Sequence, residues 1–240
     1  MSVVGEDRRG RVLPGDRESS VYERLRELIV HGRLAPGSRI IETEIADRLS
    51  VSRTPVRSAL QRLQQEGYIV SVSSGKQARP MVAPLTQGDA WEVFDIVGGV
   101  EGLAGRLAAA LGERERAELS SRLEEVNARL QIETENNQMD RGLLFELDTE
   151  FHWTYVEVAA GPRLLALHEA IKPQAERYVR LYTSALWGEV STSVREHAVI
   201  IAAIAEGDEV ATQRAIQENW RNAALRLSRV IDTVGERGSW

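Results

Sequence analysis

The sequence predicts a mainly α chain in two parts: three helices closed by a small β-hairpin, then an all-α antiparallel helical bundle. Three observations carry this reading. Apolar residues recur at helical spacing along most of the chain, strand-like alternation appears once near residues 68–82, and Gly or Pro punctuates the stripes. With 240 residues, 42% of them hydrophobic, the chain can build two ordinary cores, which excludes a disordered or fibrous protein.

Residues 1–17 are charged and aperiodic, an expected mobile arm. Val21, Leu25, Leu28 and Ile29 then mark an amphipathic helix that Gly32 and the Pro36-Gly37 turn end. Ile45, Ala46 and Leu49 mark a short second helix. After the SVSRTP connection, Val56, Ala59, Leu60 and Leu63 line a third, with Ser52 or Thr54 as its cap and Pro55 tolerated in its first turn. Gly67 stops it. YIVSV, SSGKQ and ARPMV read as strand, turn and strand, with Gly75 in the turn. These elements make an amino-terminal domain over residues 18–83, followed by a linker at 84–88 that Pro84 and Gly88 bracket.

Residues 89–233 carry helical cues alone. Val93, Val97, Val100, Leu107 and Leu111 form one stripe, and Leu119, Leu123, Val126 and Leu130 the next. Further helices are expected at 140–160, 162–186, 190–206 and 208–233, divided at Gly161-Pro162, Gly188 and Gly207, with a tail at 234–240. Short turns between long helices give an antiparallel bundle with room for an internal cavity. Trp91, Trp153 and Trp220 read as core or interface anchors.

Composition narrows the function. Cys is absent, so disulfides, thiolate metal sites and cysteine nucleophiles are excluded. No apolar run approaches the roughly 20 residues that span a bilayer, and the amino end is charged, so no membrane and a cytoplasmic location are expected. The net charge of -6 is uneven: residues 1–83 hold 14 Lys+Arg against 10 Asp+Glu, and residues 84–240 hold 16 against 26. A basic half joined to an acidic half suits one part that meets a polyanion.

Three helices with a sharp second turn and a trailing hairpin have the order of a winged helix-turn-helix, which lays its third helix in the DNA major groove. Opposite the apolar face of that helix stand Arg53, Thr54, Arg57 and Gln61. Arginine can fork onto guanine or phosphate, and Ser52 and Thr54 at the helix start suit phosphate oxygens. Gly75 and Lys76 at the hairpin tip suit a wing that approaches the backbone closely. On an isolated helix these arginines would read as ordinary solvated charges; the element order and the basic half favour double-stranded DNA.

The run PGSRIIETEIADRLSVSRTPVRSALQRLQQEGYI, preceded by VYERLRELIVHGRL, resembles the winged helix-turn-helix of the GntR family of bacterial transcription regulators over most of residues 19–82. The resemblance implies operator contacts by Arg53, Arg57, the Ser/Thr-rich start of their helix and the wing glycine Gly75. Thr43 stands where some members place an arginine, so no base contact is expected there. Residues 88–232 resemble the FCD effector-binding domain attached to the FadR-like branch of that family.

Asp148 and His152, at i and i+4, share a helix face beside Leu144, Phe151 and Tyr155, while His197 sits on the stripe of Val194, Ile201 and Ile204. A carboxylate and two imidazoles converging in a bundle suit a divalent metal with an open position for water or an anion; the plainer reading is a hydrogen-bonded core network. The resemblance implies this metal set with a third histidine in the last helix, where this chain has Asn219. An amide oxygen is the weaker ligand, and zinc, nickel and manganese are not separated. The family often has an arginine four residues before the glutamate matching Glu101, and Val97 stands there instead. The usual clamp on a carboxylate effector is thus missing. Arg177 and Tyr178 are candidates to face an effector, His168 is expected as a satisfied core histidine, and His31 merely ends the first helix.

The expectation is a DNA-binding transcription regulator, a homodimer on a two-fold operator, with a small-molecule effector such as an organic acid in the helical domain. Repression is the family's commoner mode. The competing reading is a metal-dependent helical-bundle enzyme using Asp148, His152 and His197, which lacks a general base or nucleophile with a supporting partner. A regulator whose metal site is vestigial is the third.

Overall fold

The computed structural model describes residues 14–74, 77–136, 140–186 and 190–238. The chain divides into two compact units, Met1–Leu85 with Arg237–Trp240, and Thr86–Glu236.

The first unit contains α1 (Pro14–Val30), α2 (Glu42–Leu49), α3 (Arg53–Gln65), β1 (Ile69–Ser74) and β2 (Gln77–Val82). Helix α1 begins inside the stretch expected to be an arm. The apolar stripes of the three helices meet in one core that includes Val21, Leu25, Ile29, Val56, Leu60 and Leu63. The turn between α2 and α3 is made by Ser50, whose φ of 55° is left-handed, a conformation that closes a helix tightly but is uncommon for a residue with a Cβ. Ser52 takes the N-cap position of α3 with extended backbone, although its side chain makes no cap hydrogen bond. Strands β1 and β2 pair antiparallel from Ile69↔Val82 to Ser74↔Gln77. Ile40 N–H donates to Pro80 C=O and Val82 N–H to Ser38 C=O, so residues before α2 flank the base of the hairpin. At the other end of the chain, Arg237 pairs with Leu85 in an antiparallel bridge, Leu85 N–H to Arg237 C=O at 2.8 Å and the reverse at 3.1 Å.

The second unit is helical among its described residues: α4 (Gln87–Ala109), α5 (Glu113–Glu135), α6 (Arg141–Ala159), α7 (Pro162–Leu186), α8 (Val190–Glu206) and α9 (Glu209–Val234). Helix α4 runs against α9, α7 and α6, while α5 packs on α6 and α8. Leu119, Leu123, Val126 and Leu130 of α5 are buried, as their spacing predicts.

Helix α4 keeps its predicted face in its first half, where Val93 and Val97 are buried, and departs from it farther on. Leu107 is 42% exposed, on the same outer side as Ile96 and Leu103, whereas Gly98, Glu101, Gly102, Ala104, Gly105 and Ala108 are buried. The physical reason is a close approach of α9: a Cβ on Gly105 would collide with Ile216 Cδ1, and one on Gly98 would lie 3.0 Å from Trp220 Cβ. From Gly98 to Ala108 the inner face of α4 is therefore small and carries one carboxylate. Over that stretch hydropathy alone selects the larger residues on the other side.

Candidate functional site

In the first unit, burial of Val56, Ala59, Leu60 and Leu63 turns the opposite edge of α3 outward. Ser52, Arg53, Thr54, Arg57 and Gln61 are all exposed. The guanidinium groups are not isolated. Arg57 reaches Glu42, in the first turn of α2, from NH2 at 3.1 Å and from Nε at 3.4 Å, and Arg53 NH2 lies 3.4 Å from the same carboxylate. The Arg57 hydrogen bonds hold the Glu42 carboxyl below its ordinary range. Both arginine side chains stay more than half exposed, 59% and 58%. One acidic residue thus orients two cations four residues apart while leaving them open to a ligand. Glu42 was not foreseen; it lies 11 and 15 residues from its partners, and only the α2–α3 turn brings them together. Gly75 and Lys76 lie outside the described residues.

In the second unit, α6 presents Asp148 and His152 from one face, and α8 brings His197 to them. Their donor atoms all lie within 4.8 Å of one another, with His197 Nε2 3.7 Å from Asp148 Oδ1. His197 is fully buried, its ring stacked on Phe151 with centroids 3.8 Å apart. Its Nδ1 is 3.1 Å from Asn127 Oδ1, whose amide nitrogen donates to Val194 C=O. Nε2 is left buried without a hydrogen-bond partner. Burial, followed by the electrostatic influence of its neighbours, pushes the His197 imidazole well below its usual range, so it is neutral at physiological pH.

His152 leads to a second cluster. Its Nδ1 lies 2.7 Å from Glu101 Oε2, which also accepts from Tyr155 OH at 2.8 Å and Trp220 Nε1 at 2.7 Å. Oε1 accepts from His168 Nε2 and Lys172 Nζ, each at 3.0 Å. Glu101 is fully buried. Burial would push its carboxyl up, but the Lys172 ammonium, His152 and the hydrogen bonds outweigh that and hold it well below the usual carboxylate range. Val97 is buried one turn away, and the cation beside Glu101 comes instead from α7. His168 is buried and reaches Glu101 through Nε2, but its Nδ1 is buried without a hydrogen-bond partner, so the ring is only half satisfied.

Asn219 is buried, and its amide nitrogen donates to Glu196 at 2.8 Å. Glu196 also accepts from Asn222 and Arg226. Only the amide oxygen of Asn219 remains as a ligand atom. Tyr178, on α7, reaches the start of α4, its hydroxyl donating to Asp89 at 2.5 Å and accepting from Thr86 N–H at 3.2 Å. That phenol ties α7 to the start of α4. Arg177 is buried at 3% exposure.

A divalent cation fits this donor set. The orphaned Nε2 of a neutral, buried imidazole needs a partner, and two imidazoles with a carboxylate form a borderline-soft set.

Residues 17–76 match the family of bacterial regulatory proteins called the gntR family, and residues 92–222 match the FCD domain. The chain belongs to the GntR family. Like its GntR relatives it is a helix-turn-helix transcription regulator and not an enzyme, which sets the metalloenzyme reading aside. It is 25% identical over 212 residues to the uncharacterized HTH-type transcriptional regulator YdhC of Bacillus subtilis, covering 88% of this chain and 91% of that one. It is 28% identical over 204 residues to the HTH-type transcriptional repressor RspR of Escherichia coli, covering 83% of each. The solved structure of E. coli McbR/YncC shares the fold, with a TM-score of 0.65 at 21% identity over 89% of this chain and 97% of that one. Among the described residues, no helix is long and apolar enough to cross a membrane.

Proposed function

We propose that this GntR regulator is a cytoplasmic repressor that grips a two-fold operator as a homodimer and releases it when a small molecule, such as an organic acid, binds the helical unit. The observation that carries the reading is the outer edge of α3: Arg53 and Arg57 exposed one turn apart, over a buried apolar face. Ser52, Thr54 and Gln61 extend the contact along the same edge, with Gly75 and Lys76 serving the wing. Repression is supported by the relative RspR, a repressor. Homodimerisation is supported by Ile96, Leu103 and Leu107, an exposed apolar stripe on one face of α4.

Asp148, His152 and His197 hold a divalent metal in this reading, with the Asn219 oxygen as a weak fourth ligand. When bound, the metal offers a coordination position to water or to a carboxylate effector. Arg177 in the same unit is a buried cation that suits an anionic effector. A ligand shifts the regulator only by binding its DNA-competent and incompetent states unequally.

Gel shifts with DNA from around the regulator's own promoter test the first part. Arg53→Ala and Arg57→Ala are each expected to weaken specific binding about 10-fold or more, with unchanged circular dichroism. Wild-type affinity in both variants places the contact face elsewhere. Thermal melting tests the second: zinc raises the wild-type melting temperature and chelator reverses the rise, while His197→Ala removes the response. An unresponsive wild type makes the site a plain core network.

A further inference from the structure

We infer that Glu101 and Asn127 are positioning residues that fix the tautomers of His152 and His197, so that both rings present an unprotonated Nε2 toward Asp148 and a divalent cation. The inference rests on the metal reading above. It concerns two residues that themselves hold no metal.

The tautomers follow from donor and acceptor chemistry. An ionised carboxylate only accepts, so the 2.7 Å contact between Glu101 Oε2 and His152 Nδ1 requires the proton on Nδ1. At His197 the same logic runs through an amide. Asn127 Nδ2 is committed to Val194 C=O at 3.0 Å, which turns Oδ1 toward His197 Nδ1 at 3.1 Å and again requires the proton there. With the proton held on Nδ1, the cation-binding form of each ring carries its lone pair on Nε2. The opposite tautomers would aim a nitrogen lone pair at each oxygen acceptor.

The two positioning residues come from helices other than those bearing the histidines: Glu101 from α4 and Asn127 from α5, against α6 and α8. Both are themselves held. Tyr155, Trp220, His168 and Lys172 fix the carboxylate, and Phe151 stacked at an interplanar angle of 7° fixes the plane of His197. The two supports are chemically unequal. One is an anionic acceptor, the other a neutral amide.

The test uses full-length, metal-free protein with 15N-labelled histidine, in which four histidines give a tractable long-range proton–nitrogen spectrum. His152 and His197 are expected as Nδ1–H tautomers in the wild type. Asn127→Ala is expected to return His197 to a mixture, a signature that a purely structural role would not move. Zinc titration by calorimetry then reads affinity: Asn127→Ala, and Glu101→Gln combined with Lys172→Met to remove the unpaired cation, each lose about 10–100-fold. Asn127→Ala lies away from the buried ion cluster and keeps the test open if the double variant misfolds. Nε2–H tautomers in the wild type, or variants that bind zinc as tightly as the wild type, overturn the positioning role. A wild type with the expected tautomers that takes up no zinc, nickel or manganese overturns the metal reading instead.

Discussion

At Gly105 a single methyl group decides how α4 and α9 meet, because Ile216 already fills the space that a Cβ would need. Gly105→Ala gains helix propensity but forces α9 outward, and overpacking of this kind costs about 1–3 kcal/mol. The expected outcome is a melting temperature lowered by several degrees, read by calorimetry, with α3 and its DNA contacts untouched. A variant as stable as the wild type would mean that α9 adapts freely. The same scale shows where sequence reasoning stopped. Val97 shows from the sequence that α4 offers no arginine here, but Lys172, which pairs with Glu101, stands 71 residues from it and is found only once α7 is folded against α4. Glu42 escaped for the same reason. Asp148 and His152 were legible because i,i+4 spacing fixes a shared face before any tertiary contact forms.

Helix α7 joins the buried carboxylate to the ends of its unit. Near its start His168 and Lys172 reach Glu101, and Pro173 follows inside the helix, where it removes one backbone donor. Farther on, Tyr178 holds Thr86 and Asp89 at the start of α4, and Tyr182 OH donates to Gly235 C=O just past the end of α9. Gln87 adds contacts to Ser228 and Asp232 of α9. Tyr178→Phe leaves Asp89 and the Thr86 amide without this partner. Faster hydrogen exchange at residues 86–90 and a loss of about 1–2 kcal/mol in stability are expected, with zinc binding retained. Unchanged exchange there would show that the capping Thr86 hydroxyl and Gln87 suffice. Elements with one apolar stripe, such as α5, were readable to within a few residues. The inward face of α4 from Gly98 onward was not, since its small residues carry little hydropathy and its carboxylate looks like a solvent residue until five donors surround it.

At the scale of the whole molecule, the uneven charge pointed to two parts with different partners, and the GntR and FCD matches assign those parts. The carboxy terminus was read as a mere tail. Instead, Arg237 returns to the first unit and supplies both backbone hydrogen bonds of Leu85, a residue with no solvent exposure. The compact body that carries α3 is therefore assembled from two stretches of chain about 150 residues apart in sequence. A fragment ending at Leu85 would forfeit the bridge partner that Arg237 provides, so the Leu85 amide and carbonyl would have to find water instead.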